Sequence, residues 1–314
     1  MLLPTHMNVA IIENYGGPEV LQLKTVAVPD IAADEILVRV HSAGVSPFDI
    51  HMRDGWYQQP QYALPIILGW ELSGTVAAVG KDVTHFKVGD DVFAYPSGHR
   101  KGGSYAEFNV IKENEAAHKP ASINHHQAAA ASMNALTAWQ ALFDIAQLSA
   151  GQTVLIHAAA GGIGHLAVQL AKWKGAHVIG TASAKNAEFL AELGVDEFID
   201  YTTTAFEKAV KPVDVVLDLI GGDILLRSFQ VVKKSGIVVT AIDFENIKKA
   251  ADLGLRGAAV FVDPNTQQLS AIADLLEKDV LKPHVSTVFP LADVAKAHEL
   301  VRSGRVRGKV VLEI

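Results

Sequence analysis

The chain contains no cysteine. That excludes a disulfide framework and any metal centre or nucleophile built on a thiolate. It also lacks an uninterrupted apolar run of about 18 residues, the length a helix needs to cross a bilayer. The opening stretch MLLPTHMNVA has no basic segment followed by a long apolar one, so no secretory signal is expected there. Positive charge is in deficit: 27 Lys and Arg against 34 Asp and Glu leave a net charge of −7. Without a long basic run, such a chain repels a phosphate backbone, and nucleic acid is not an expected partner. Disorder is excluded by the opposite route. Charged residues make up only 19% and hydrophobic ones 49% of the chain, so there is ample apolar surface to bury. These absences together predict a cytoplasmic protein with no membrane partner.

The 314 residues are enough for two domains, and the texture of the chain changes twice. The first part reads as short strands, among them Ile36–Val40, Gly74–Val79 and Asp91–Ala94. Turn residues separate them, as at Gly16-Gly17-Pro18 and Gly89-Asp90-Asp91, which suggests a partly open β-barrel or sandwich. Ala, Leu and Met enrichment then predicts a helix over Gln127–Phe143, since these side chains lose little freedom in a helix. From Gly151 strands and helices alternate. Strands are predicted at Thr153–His157, His177–Thr181, Glu197–Asp200, Val213–Leu219 and Gly236–Ala241, with helices at His165–Lys174 and Ala187–Leu193. Apolar strands alternating with helices mean a parallel sheet covered on both faces. The tail predicts a helix over Thr266–Lys278, a strand around His284–Phe289, a helix over Leu291–Ser303 and a last strand at Lys309–Ile314. The expected fold is α/β: a doubly wound parallel-sheet domain, residues 127–265, inserted between two pieces of a β-rich domain, residues 1–126 and 266–314.

The strongest local signal is the turn Ala158-Ala159-Ala160-Gly161-Gly162-Ile163-Gly164, which follows a strand and opens a helix. There the free N–H groups and the positive end of the helix dipole suit a pyrophosphate. Ala160, Gly161, Gly162, Ile163 and Gly164 are therefore candidate dinucleotide-binding residues. Gly161 and Gly162 let the backbone approach the phosphates, and Gly164 lets helix and strand pack closely. Ala159 stands where the usual pattern has its first glycine. The next strand ends in Ala182-Ser183-Ala184-Lys185, where NAD enzymes usually place an acid to hold the ribose 2′-hydroxyl. With the acid gone and Lys185 present, a 2′-phosphate is attracted rather than repelled. NADPH is the expected cofactor.

Ordered motifs along essentially the whole chain resemble one family. They include Ala43-Gly44-Val45-Ser46-Pro47-Phe48-Asp49, Arg53-Asp54-Gly55-Trp56-Tyr57 and Leu68-Gly69-Trp70-Glu71-Leu72-Ser73-Gly74. Further matches are Gly103-Ser104-Tyr105-Ala106-Glu107, Asn134-Ala135-Leu136-Thr137-Ala138-Trp139, Phe198-Ile199-Asp200-Tyr201 and Gly308-Lys309-Val310-Val311-Leu312. The chain resembles the medium-chain dehydrogenase/reductase superfamily in its zinc-independent quinone oxidoreductase branch. The resemblance implies a GroES-like catalytic domain plus a Rossmann domain, with NADPH and substrate in the cleft between. It further implies that Tyr201 lies near the ribose phosphate with Ser183 and Lys185, and that Ser46, Thr137 and Lys309 approach the cofactor. Alcohol dehydrogenases of this superfamily carry zinc-binding Cys and His where Ser46 and Trp70 stand. A hydroxyl and an indole do not replace them as ligands, so no metal is expected.

Without a Lewis acid an alcohol is hard to oxidise, whereas quinones and α,β-unsaturated carbonyls accept hydride directly. A small conjugated carbonyl or quinone is the expected substrate. Tyr57, in the motif that resembles the family's pocket loop, is a candidate catalytic residue because a phenol donates to a developing oxyanion; an aromatic wall is the alternative. His51 is a second candidate, as a proton donor near neutral pH. Alternatives to the leading reading are an enoyl-thioester reductase of the same branch and a non-catalytic, crystallin-like or regulatory NADPH-binding protein. A homodimer is expected from the apolar segment Ala258–Val262, read as an unpaired sheet edge that a charge at Phe261 would disrupt.

Overall fold

The computed structural model describes residues 3–56, 58, 62–96 and 103–314. Its chain divides into two compact units, Met1–Met133 with Asp263–Ile314, and Asn134–Val262.

The first unit is built on a seven-stranded sheet whose long central strand, Glu35–Val45, pairs antiparallel with Leu72–Val79, Phe108–Lys112 and the last strand, Lys309–Glu313. Asp91–Ala94 and Ala116–His118 extend it on one side, and Val285–Pro290 lies parallel to the last strand on the other. A second, three-stranded sheet has His6–Ile12 between Gln22–Ala27 and Ile66–Ile67. Alternation of side chains puts Val9, Ile11, Leu37, Leu68 and Leu312 into a common core with Trp70 and Tyr105. A short helix, Pro47–Arg53, leaves the end of the central strand directly. Proline at its first position supplies a preset φ where no N–H is needed, and Ser46 caps it. This helix is absent from the sequence reading, because seven residues are too few to show a periodicity.

The second unit is a six-stranded parallel sheet. Its strands, numbered by their place in the unit, run 3-2-1-4-5-6. In that order they are Glu197–Asp200, His177–Ala182, Thr153–Ile156, Val213–Asp218, Val232–Thr240 and Arg256–Ala259. The strands are buried on both faces, as Val154, Leu155, Ile156, Val215, Val216 and Leu217 show. Strand order reverses between Thr153–Ile156 and Val213–Asp218, so the connections depart on opposite sides and leave a crevice at the carboxyl ends.

Two expectations are corrected. The edge strand is Arg256–Ala259, so Phe261 lies two residues beyond it. Phe261 is 62% exposed and stacks on Phe244, with ring centroids 4.4 Å apart. The register that pairs Thr240 with Ala259 ends where Val232–Thr240 ends, which sets the edge strand's length. The predicted Gln127–Phe143 helix runs from His125 to Trp139 and then widens into a π-helical segment, Gln140–Ile145. Among the described residues no helix is long and apolar enough to cross a membrane.

Candidate functional site

In the second unit the glycine-rich turn sits at the crevice where the strand order reverses. The amide of Ala159 donates to the Thr181 carbonyl of the neighbouring strand at 3.0 Å, and that of Gly161 donates to Ala158 at 2.9 Å. The left-handed residue is Ala158, at φ +49, rather than Ala159, so position 159 does not require glycine. A Cβ on Gly180, across from it, would come within 3.1 Å of the Ala159 methyl, and the missing side chain there gives that methyl room. A Cβ on Gly164 would fall 2.2 Å from the Ala158 carbonyl oxygen, so glycine is needed for helix and strand to meet. Gly161 differs, because its Cβ would touch only that carbonyl, at 3.2 Å. The helix Gly164–Trp173 begins without a side-chain cap at Ile163; its His165 and Leu166 amides donate to the Gly161 and Ile163 carbonyls at 3.1 and 3.2 Å, so the amides an outside acceptor would meet are those of the turn just before them. A glycine-rich turn, a helix start with no side-chain cap and a switch-point crevice fit the pyrophosphate of a dinucleotide.

The expected ribose-phosphate residues gather at the neighbouring strand ends. Ser183 starts a single 3₁₀ turn without capping it. Lys185 lies exposed in that turn, and the Tyr201 amide donates to the Ala182 carbonyl at 3.3 Å. Tyr201 is exposed and Ala182 buried. Asp200, the register partner of Ala182, carries a carboxylate whose Oδ1 accepts from the Thr202 amide at 2.9 Å and hydroxyl at 2.7 Å. These bonds hold its carboxyl below the usual range, the Thr202 hydroxyl first. Thr137 is buried in the second unit. Sequence reasoning missed Asp218, which ends the strand on the far side of the crevice. Its carboxylate accepts from the Gly221 amide at 3.0 Å and the Thr240 hydroxyl at 2.7 Å and so closes the loop there. An aspartate ending an apolar strand just before Gly221-Gly222 was the available signal.

The first unit gathers its polar residues around the Pro47–Arg53 helix. Ser46 is buried and caps the helix: its hydroxyl donates to Asp49 Oδ2 at 2.8 Å, and its amide donates to the same oxygen at 2.6 Å. Asp49 is fully buried, and desolvation pushes its carboxyl up against the opposing pull of Ser46 and Lys309. The ammonium of Lys309, a residue expected to approach the cofactor, pairs with Glu71 in the interior. Glu71 went unremarked in the sequence. Burial raises its carboxyl to about 7, against the lowering effect of Lys309. Gly44 makes room for it, since a Cβ there would lie 2.5 Å from Glu71 Oε2. Trp70 is buried and meets Phe48 edge-on at 4.9 Å. His51 stacks on Trp56 at 4.5 Å. Desolvation chiefly lowers its pKa below 6.5, so at neutral pH the ring is mostly uncharged. Tyr57 lies outside the described residues. No group of three or more His, Asp or Glu side chains is arranged to hold a metal ion among the described residues.

Comparison with known proteins accords with this arrangement. Residues 32–121 match the alcohol dehydrogenase GroES-like domain, and residues 193–312 match the zinc-binding dehydrogenase family. The chain is 33% identical to the mitochondrial NAD(P)H oxidoreductase RTN4IP1 of Danio rerio, over 99% of this chain and 92% of that protein. It is 32% identical to the chloroplastic NADPH-dependent alkenal/one oxidoreductase of Arabidopsis thaliana, covering 99% and 80%. A solved structure, the quinone oxidoreductase from Coxiella burnetii, superposes with a TM-score of 0.94 at 34% identity, covering 98% of this chain and 99% of that one. By these similarities, together with its GroES-like and Rossmann-type sheets, the chain belongs to the medium-chain dehydrogenase/reductase superfamily, in its quinone oxidoreductase branch.

Proposed function

We propose that this protein is an NADPH-dependent reductase of quinones and α,β-unsaturated carbonyls that works without zinc. The observation that carries the reading is the glycine turn at the switch point of the second unit, which opens a helix with no side-chain cap. The names of the relatives supply the reaction class: quinone oxidoreductase and NADPH-dependent alkenal/one oxidoreductase. In this reading residues 127–265 hold the cofactor, and residues 1–126 with 266–314 supply the acceptor side. Ala160–Gly164 hold the pyrophosphate, and Ser183, Lys185 and Tyr201 take the 2′-phosphate. An acid is missing at Ala182, and Asp200 is engaged by Thr202, which supports NADPH over NADH.

When bound, the nicotinamide supplies the hydride. The protein's own contribution is orientation and exclusion of water around an acceptor that needs no Lewis acid. Tyr57 is assigned to the acceptor pocket. His51 is assigned a weaker role, as a neutral donor. The serine and tryptophan at positions 46 and 70 support chemistry without zinc, since neither offers a thiolate or imidazole. The absence of cysteine suits a cytoplasmic enzyme, and the exposed Phe261 beyond the edge strand supports a homodimer.

The test is NADPH consumption with and without 1,2-naphthoquinone or an alkenal. Acceptor-dependent consumption, undiminished by chelators, is expected. If no acceptor in such a panel accelerates NADPH oxidation, the reductase reading fails and a non-catalytic NADPH-binding protein stands instead. Turnover confined to enoyl thioesters would favour the enoyl-thioester reductase.

A further inference from the structure

Four side chains of the first unit line up in its interior, and their chemistry fixes the direction of the hydrogens. Arg53, at the end of the helix capped by Ser46, is wholly buried. Its guanidinium donates from Nε to the Gly16 carbonyl at 3.1 Å and from Nη2 to Asp54 at 2.8 Å. Its Nη1 lies 3.2 Å from Nδ1 of His298, which is also wholly buried. On the other side of that ring, Nε2 lies 3.2 Å from the Tyr105 hydroxyl. A guanidinium has donors and no acceptor, so Nδ1 of His298 must accept. Burial, with Arg53 beside it, lowers the imidazole to about 3. A neutral ring that accepts at Nδ1 carries its proton on Nε2. That N–H donates to Tyr105, whose own hydrogen must then go elsewhere.

A destination is in place. Asp49 Oδ1 is buried without a closed hydrogen bond, a costly state for a carboxylate oxygen. The two groups act on each other: the Asp49 charge helps raise the buried phenol of Tyr105, and the phenol helps lower the carboxyl of Asp49. We infer that Arg53, His298, Tyr105 and Asp49 form a one-way donor line. Each hydrogen points toward Asp49, and Tyr105 is a positioning residue for the carboxylate that holds the amide and hydroxyl of Ser46. The last helix of the chain, Val294–Arg302, is thereby linked to the start of the helix that Ser46 caps and that carries His51. The charged and titratable groups facing the line are Lys309 and Glu71 at Asp49, Glu71 and Arg53 at Tyr105, and Asp54 and Arg302 at His298.

This inference stands on the first unit alone and is independent of the acceptor, so its test reads structure rather than turnover. In ¹⁵N-labelled full-length protein, with the His298 resonances assigned by their loss in His298→Gln, two-bond ¹H–¹⁵N spectra report the ring tautomer. An Nε2–H ring unchanged from pH 5.5 to 8 is expected, and an Nδ1–H or doubly protonated ring overturns the line. The second arm follows the Ser46 amide proton, which reports the charge on Asp49. Removing a donor from the charged carboxylate raises its pKa, so Tyr105→Phe moves the midpoint of this titration up by about one pH unit. A purely packing role for Tyr105 lowers stability and leaves the midpoint in place, and that result overturns the proposal. If Tyr105→Phe does not fold, the wild-type tautomer decides alone.

Discussion

Replacing Lys309 with methionine isolates the buried charge that Glu71 carries. In the wild-type protein the Glu71 carboxyl is raised from 4.5 to about 7, desolvation outweighing the help of Lys309. A carboxyl with a raised pKa favours the folded state most at low pH. That contribution is lost as pH rises from the unfolded value through the folded one, and above about 7 the loss levels off. At about 1.4 kcal/mol per pH unit, the loss amounts to about 3 kcal/mol by pH 7. Without the ammonium, the Glu71 pKa rises further and the levelling-off moves up with it. Lys309→Met is therefore expected to match wild type in its pH slope below pH 6 and to fall away from it above pH 7. The added deficit is about 1.4 kcal/mol for each further pH unit until Glu71 ionises. Loss of the lysine's aliphatic packing adds a term that does not depend on pH. Urea midpoints of both proteins at pH 6, 7 and 8 measure the difference. A deficit that is the same at all three pH values refutes the argument that Glu71 titrates within this pair.

The two glycines of the turn are expected to separate packing from access. Gly164→Ala drives a Cβ into the Ala158 carbonyl and is expected to cost about 1–3 kcal/mol, visible as a lower Tm. Gly161→Ala, whose Cβ would press on the Ala158 carbonyl only at 3.2 Å, lowers Tm much less than Gly164→Ala but weakens NADPH binding in a fluorescence titration; a Tm drop as large as that of Gly164→Ala would contradict the assignment. Lys185→Glu is expected to lower the preference for NADPH over NADH in kcat/KM by at least about tenfold, equivalent to about 1.4 kcal/mol, and an unchanged ratio moves the 2′-phosphate away from Lys185. Phe261→Asp is expected to turn a dimer into a monomer in light scattering, and an unchanged dimer rules out this surface as the interface.

The sequence by itself determined what depends on neighbours along the chain. The alternation of apolar strands and helices after Gly151 is local, and the observed strands at Glu197–Asp200 and Val213–Asp218 fall within one residue of the predicted bounds. The glycine turn was equally legible, because strand, turn and helix are consecutive. Cysteine's absence and the residues at positions 46 and 70 are facts of composition and position. Short or irregular pieces such as Pro47–Arg53 and Gln140–Ile145 carry too few residues for a period to show. Tertiary structure alone decided the rest. It brought Lys309 to Glu71, 238 residues earlier, and Arg53 to His298, 245 residues later. It also ended the edge strand before Phe261. A lysine and a glutamate read from sequence look like solvated charges, and only burial makes their pairing obligatory. The cost of leaving a charge alone in the interior selects the partner, and that cost exists only once the sheets have closed around it.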